Sequence, residues 1–426
     1  MPLHPDPLEL LKSLFYAAVD ASHPGRRIRQ LLPPRPKGRI FVVGAGKASA
    51  LMARAVEECW GGPLRGLVVT RYGHAVPCHE IEVVEASHPV PDAAGHRAAA
   101  RMIRMLGDLT PADTVVCLFS GGGSSLLPLP LPGLDLATKQ GLHAALLASG
   151  ATIDEMNCVR RHISAIKGGR LGIACHPARV INLLVSDVAG DHPANIASGP
   201  CVADDSTCAD ALAILHRYRL NVPAGVTELL SSGAGETVKS NDRRLMPVET
   251  HMVATPQMAL QAAASAALEQ GVVAHVLGSA IEGDARALGS ILGGVVRQVV
   301  EHGQPFRAPC VLLSGGEASV QVRGTGRGGR NVEFLLSHAI AVRGMTGVYG
   351  LAVDTDGVDG SEEIAGASFD GQTLDRAERL DMNPLAYLVN NDAHSFFEAV
   401  GTSLRTGPTL TNVNDFRATL ITDGAS

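Results

Sequence analysis

Short apolar runs recur along the chain, each closed by glycine or an acidic residue and followed by helical spacing. In the first half they are "RIFVVGAG", "GLVVT", "DTVVCLFSGGGSS" and "VINLLVSDVAGD". The second half adds "VVAHVLG", "PCVLLSGGE", "GVYGLAVDTDG" and "LAYLVNND". Runs of this length, alternating with stretches such as "ALMARAVEECW" and "AAGHRAAARMIRML", predict strands joined by crossover helices. The fold class expected is α/β, with mainly parallel sheets flanked by helices, and functional residues at the carboxyl ends of strands.

Periodicity gives way to glycine, serine and charge in "LSSGAGETVKSNDRRLM", Leu230 to Met246. A boundary there divides the chain into domains 1–240, Rossmann-like, and 241–426. Two domains also suit a length of 426 residues at 46% hydrophobic content, because single cores seldom grow past about 250 to 300 residues. Only 4% of residues are aromatic, which suits closely packed α/β layers. A net charge of −6 with scattered basic residues argues against a nucleic-acid surface. The eight cysteines form no C-x-x-C pair, so reduced structural thiols are expected. The first residues do not read as a signal peptide and no stretch reaches about 18 apolar residues, so a soluble, cytoplasmic chain without membrane contact is expected.

The stretch "GAGKASALMARAVEE" fails as a Walker A loop, since Ala48 follows Gly46-Lys47. As a G-x-G-x-x-G fingerprint it offers Gly44 and Gly46 but has Ser49 in third place. What it predicts is an anion site made of backbone N–H groups and Lys47 at a helix start. The competing reading is a tight turn with Lys47 in solvent. "SGGGSS" adds Ser120, Gly121, Gly122, Gly123, Ser124 and Ser125 after a buried strand, a nest suited to phosphate or carboxylate. Arg160, Arg161, Lys167 and Arg170 read most simply as a solvated helical face.

Asp187 follows an apolar run in "VSDVAGD", where a carboxylate at a strand end could hold Mg²⁺ or orient a hydroxyl. Glu317 follows a Gly-Gly turn, and Arg323, Arg327 and Arg330 come after it, spaced by glycines. Asp354, Asp356 and Asp359 follow calcium-loop order, but Ala365 stands where that loop needs glutamate. "TGPTLTNVNDF" supplies Thr409, Thr411, Asn412, Asn414 and Asp415.

Taken in order, "GAGKA", "SGGGSSLL", "SDVAGDHPANIASGP", "SGGEASVQVRGTGRGGRNVEF", "DTDGVDG" and "GPTLTNVND" resemble the glycerate 2-kinase family over nearly the whole chain. In that family the C-terminal part is called the MOFRL domain, here about 305–420. The resemblance implies phosphorylation of D-glycerate at C2 by ATP with Mg²⁺, in a cleft between two α/β domains. It implies Lys47, Asp187, Glu317, Arg330, Asp356 and Asn412 as the polar residues of the site. Lys47 would meet the transferring phosphoryl group, Asp187 the C2 hydroxyl, and Arg330 a carboxylate or phosphate. Glu317 or Asp356 would hold Mg²⁺, while Gly44, Gly46 and Ser120 to Ser124 would bind substrate or nucleotide. Departures from the family pattern are Ala318-Ser319, where two threonines are common, and Val332, where glutamine is. Two other readings stand beside it: an NAD(P)H-dependent hydroxypyruvate reductase, supported by the partial G-x-G loop with Arg71, and a non-enzymatic small-molecule sensor.

Overall fold

The computed structural model describes residues 6–360 and 362–425. It contains two compact units. One comprises Pro24–Ser186 and Asp191–Val253; the other comprises Asp187–Gly190, the chain from Ala254 onward and the residues up to His23. The division therefore falls at 253/254 and not at 240/241, and the first helix belongs with the second half of the chain.

Both differences have a local cause. In the helix Pro7–Ala21, Leu10, Leu11, Leu14, Phe15 and Ala18 form one apolar stripe, wholly buried. That stripe packs on the helix Pro256–Glu269 and brings Phe15 to 5.8 Å from the ring of Phe416. The linker-like segment around 230–246 is tied to the first unit by backbone. Val238 N–H donates to the Gly168 carbonyl at 3.0 Å, and Lys239 Nζ to the Asp204 carbonyl at 3.0 Å.

The first unit is built on β1 (Ile40–Ala45), β2 (Arg65–Arg71), β3 (Ile81–Ala86), β4 (Thr114–Phe119), β5 (Arg179–Val185) and β6 (Val248–Ala254). Their spatial order is β3-β2-β1-β4-β5-β6, and β1 to β5 run parallel. This is the strand order of dinucleotide-binding sheets. Every residue of β1 and β4 is buried, as expected where helices cover both faces of a parallel sheet.

The second unit holds β7 (Val273–Gly278), β8 (Gly283–Asp284), β9 (Cys310–Gly316), β10 (Ala318–Ser319), β11 (Val348–Asp354), β12 (Gly366–Phe369), β13 (Ser403–Leu404) and β14 (Asp415–Ile421). Six of them form a sheet in the order β13-β12-β11-β14-β9-β7. Here the expectation of a mainly parallel sheet does not hold: β7 and β9 are parallel, while the other four pairings are antiparallel. The last strand, β14, is reached through the irregular stretch 405–414 and not through a crossover helix, so it runs against both neighbours. "LAYLVNND" also departs from expectation. Asn383 caps Leu385 and Ala386, Pro384 takes the first helical position, and the run is a helix, Pro384–Val389.

All eight cysteines are free, with Cys117 buried in β4 and Cys310 at the start of β9. No helix among the described residues is long and apolar enough to cross a membrane.

Candidate active site

In the first unit the strand order reverses between β1 and β4, which is where open α/β sheets bind ligands at the strands' carboxyl ends. Both glycine-rich loops sit there. Gly44 and Gly46 close the end of β1 with Lys47 just beyond, and Ser120 to Ser125 follow β4.

The first loop is not the amide cradle expected of it. Gly46 N–H donates to the Val69 carbonyl at 3.0 Å, Lys47 N–H to the Gly121 carbonyl at 2.9 Å, and Ala48 N–H to Ser120 Oγ at 3.0 Å. A Cβ on Gly44 would lie 2.0 Å from the Leu118 carbonyl oxygen. One on Gly46, whose φ is +143°, would lie 2.1 Å from Ser120 Oγ. The glycines thus let β1 and its turn lie against β4, and the amides bond to β2 on one side and to the turn after β4 on the other. The third fingerprint position is filled usefully by Ser49, whose hydroxyl donates at 2.8 Å toward the Gly46 and Val69 carbonyls. Lys47, half-buried, is the group this loop presents for chemistry. Gly46→Ala should cost about 2–4 kcal/mol through overpacking and a strained φ, read from the shift of its denaturant midpoint; an unchanged midpoint would contradict this packing.

The second loop is partly closed on itself. Ser120 and Gly123 amides donate to the Ala45 and Ser120 carbonyls at 3.2 and 3.1 Å. Ser120 is fully buried and its hydroxyl accepts from Ala48, so it braces the two loops. Among the described residues the amides of Gly121 and Gly122 take no such bond within the chain. Ser124 Oγ lies 2.8 Å from Ser198 Oγ.

In the second unit, Glu317 follows the end of β9, Asp354 ends β11 and Asp415 begins β14. Asp415 is opposite both Asp354 and Gly316 across the sheet. Arg330, the first residue of the helix Arg330–Ala341, joins them. Its Nε donates to Asp415 Oδ1 at 2.6 Å, Nη1 to Glu317 Oε1 at 2.7 Å and Nη2 to Asp354 Oδ2 at 2.7 Å. Expected to grip a substrate anion, Arg330 instead grips three carboxylates of its own chain. Asn331 Nδ2 donates to Asp415 Oδ1 at 2.9 Å, and Arg417 pairs with the other Asp415 oxygen. Burial alone would raise the Asp415 pKa, but the Arg330 and Arg417 guanidiniums outweigh it and hold the carboxyl below its ordinary range.

Asp359 has a structural task. Its oxygens accept the Asn331 and Val332 amides at 3.1 and 3.0 Å, capping the helix Arg330–Ala341 from a distant part of the sequence. Gly329 makes room, since a Cβ there would lie 2.3 Å from Asp359 Cγ. Arg327 pairs with Glu362 and Glu398 on the surface, and Arg323 reaches Gln321.

Asp187 groups with this second unit although it follows β5 in sequence. Asn412 Nδ2 donates to Asp187 Oδ2 at 3.2 Å, and Asn414 Nδ2 to the Asp187 carbonyl. Asn414 sits at φ 62°, and its own carbonyl accepts from Thr355 N–H at 3.0 Å and Thr355 Oγ1 at 2.7 Å. Asp356 is buried beside this turn, its backbone carbonyl accepting from Thr409 N–H at 3.2 Å and its carboxylate from Val358 N–H at 2.9 Å. Asp187, Asp356, Asn412 and Asn414 therefore belong to one hydrogen-bonded turn system.

The donor set also bears on a divalent cation. Glu317, Asp354 and Asp415 outnumber the arginines they meet, an acidic surplus suited to a hard cation. Among the described residues the one close group of three metal-type donors is His162, Cys208 and Glu236, and Lys239 already neutralises that glutamate at 2.6 Å.

A Rossmann-like sheet with glycine loops at its switch point in one unit, and a mixed sheet carrying a carboxylate–arginine–asparagine network in the other, suit an α/β enzyme of the phosphotransferase class. Residues 10–231 match a domain of unknown function (DUF4147), and residues 310–415 match the MOFRL family. A protein of Agrobacterium vitis, provisionally named a hydroxypyruvate reductase, is 49% identical, covering 97% of this chain and 94% of that protein. A protein of Thermotoga maritima named D-glycerate 2-kinase is 39% identical, covering 95% and 96%. A crystal structure of glycerate kinase from Thermotoga maritima superposes with a TM-score of 0.88 at 39% identity, covering 97% of this chain and 99% of that one. The chain belongs to the MOFRL-containing glycerate kinase family.

Proposed function

We propose that this enzyme transfers the γ-phosphoryl group of ATP to the C2 hydroxyl of D-glycerate, giving 2-phosphoglycerate and ADP with Mg²⁺. The observation that carries the reading is Asp187, a carboxylate whose oxygen and backbone are held by the side chains of Asn412 and Asn414. A group fixed in this way suits the orientation and deprotonation of an acceptor hydroxyl, and phosphoryl transfer depends chiefly on positioning and charge neutralisation. Lys47 meets the oxygens of the phosphoryl group in flight. The Gly121 and Gly122 amides and Ser124 serve phosphate oxygens. Glu317 or Asp356 would hold Mg²⁺, which when bound would supply charge neutralisation at the phosphates. Arg330 is a positioning residue that sets the spacing of Glu317, Asp354 and Asp415.

The reductase reading is disfavoured by the first loop. A dinucleotide pyrophosphate needs amides and close approach at that turn, and here the amides are bonded to β2 and the turn after β4, while the close approach is made by β4 and Ser120.

The test is ADP release from purified protein with D-glycerate, ATP and Mg²⁺, with product detected through enolase in the absence of phosphoglycerate mutase. A mutase-independent signal is expected; a signal that requires mutase would mean attack at C3 and overturn the proposal. Lys47→Ala should lower kcat by about 10²- to 10³-fold, the usual loss on removing one transition-state donor. A folded variant with undiminished turnover would remove Lys47 from its role.

A further inference from the structure

Beside the second glycine loop, within the first unit, basic side chains line one narrow recess. Lys139 and His143 come from the helix Leu136–Ala148, Arg160 from the helix Ile153–His162, and Lys167 from the turn that follows; Ser124 and Ser125 complete the wall. Arg160 and Lys167, from the run expected to be a solvated face, are buried here at 9% and 1% exposed, and Lys139, from the other helix, is 6% exposed.

Their bonds within the chain leave the charge uncompensated. Lys167 Nζ donates to the Leu127 carbonyl at 2.8 Å and Lys139 Nζ to the Leu129 carbonyl at 3.4 Å. Arg160 Nη1 reaches Asn157 Oδ1 at 3.4 Å and Nη2 reaches Met156 Sδ at 3.8 Å, while among the described residues Arg160 Nε and His143 Nε2 are buried with no hydrogen-bond partner. An ammonium has three N–H donors and a guanidinium five, so most of this capacity is unused. Among the described residues no carboxylate forms an ion pair with Lys139, Arg160 or Lys167; the charges that act on this group are one another and Arg170. Buried charge without a counter-charge is strongly unfavourable, and folded proteins pair it or neutralise it.

We propose that this recess is a binding subsite for an oxyanion, a phosphoryl group or a carboxylate, held by Lys139, Arg160 and Lys167. The inference goes beyond the kinase reading and stands on the charge imbalance in this unit alone. The protonation states agree with it. Burial, reinforced by Arg160, brings Lys167 down to about 7, and burial with the three neighbouring cations brings His143 to about 4. An arriving anion would restore the proton to Lys167.

The experiment is calorimetric titration of the full chain with inorganic phosphate and, separately, with D-glycerate, comparing wild type with Arg160→Met, Lys139→Met and Arg160→Lys. Each methionine variant should weaken binding of the bound anion by about tenfold or more, the worth of one charge-assisted hydrogen bond, while Arg160→Lys keeps most of the affinity. Without anion the methionine variants should melt at or above the wild-type temperature, because each removes a buried basic group that no carboxylate compensates. A purely structural role for these side chains predicts the reverse, lower melting with unchanged anion affinity. Burial and the neighbouring cations depress Lys139 as well, so above pH 7 wild type should take up protons on binding, seen as a buffer-dependent heat, and Lys167→Met should take up fewer. Phosphate as the tighter probe assigns the subsite to a phosphoryl group, and D-glycerate to a carboxylate. Equal affinity of wild type and both methionine variants for both anions, or no binding of either to wild type, would overturn the proposal. The enolase-coupled assay fails or succeeds separately from this titration.

Discussion

Asp187→Asn should lower kcat for D-glycerate phosphorylation by about 10²- to 10⁴-fold, the usual range for losing a positioned proton acceptor, with the KM values for ATP and D-glycerate changed far less. The substitution keeps the shape of the side chain, so the amide of Asn412 still finds an oxygen where Asp187 Oδ2 now lies at 3.2 Å. What is lost is the negative charge and with it the capacity to take the C2 proton. Fold should be unaffected, since the grip of Asn414 is on the Asp187 backbone carbonyl and survives. Asn412→Ala removes only the orienting donor and should cost less than Asp187→Asn, mainly in kcat. The check is steady-state kinetics with D-glycerate and ATP varied in turn. Near wild-type kcat in Asp187→Asn would take the base away from this residue. An equal loss in Asn412→Ala would make orientation, and not the charge, the source of the effect.

Much of this was legible in the chain, for reasons that differ between its halves. Parallel strands covered on both faces must be apolar throughout, so "RIFVVGAG" and "DTVVCLF" announced β1 and β4, and their closing glycines marked the switch point. The role of Gly44 and Gly46 was not legible, because a glycine needed for strand contact and one needed for phosphate approach have the same one-letter signature. Antiparallel pairing in the second sheet was hidden because period and composition do not encode strand direction; that was decided by the route of 405–414 into β14. Charged residues behaved similarly. Arg160 and Lys167 read as a solvated face on base rate, and Lys139 and His143, one helical turn apart on another helix, gave no signal until folding gathered all four. Asp359 stands in calcium-loop order with Asp354 and Asp356, yet its partner is a helix start nearly thirty residues earlier.

Arg330 offers the largest expected effect on stability. Three of its N–H groups meet three carboxylates, one of which, on Asp415, is fully buried. Arg330→Met leaves Asp415 with Arg417 as its remaining cation and Asp354 without this partner, and breaking a buried pair on one side costs about 3–5 kcal/mol. The sign of the pH dependence follows from Asp415. Its folded pKa lies below the ordinary value, so its contribution to wild-type stability is present above about pH 4 and is lost as pH falls through the folded pKa. In Arg330→Met the same carboxylate is raised by burial with less to oppose it, and protonating it becomes favourable on folding. The gap between wild type and variant should thus be widest near pH 7 to 8 and should narrow as pH falls toward 4. Denaturant unfolding at several pH values measures this directly. A gap that stays constant with pH would mean that Arg330 stabilises by packing and not by charge. Catalysis gives the second reading of the same variant. If Arg330 acts by spacing Glu317 from Asp354 and Asp415, kcat falls and the apparent affinity for Mg²⁺ weakens with it; a rise confined to the KM for D-glycerate would instead return this guanidinium to the substrate carboxylate.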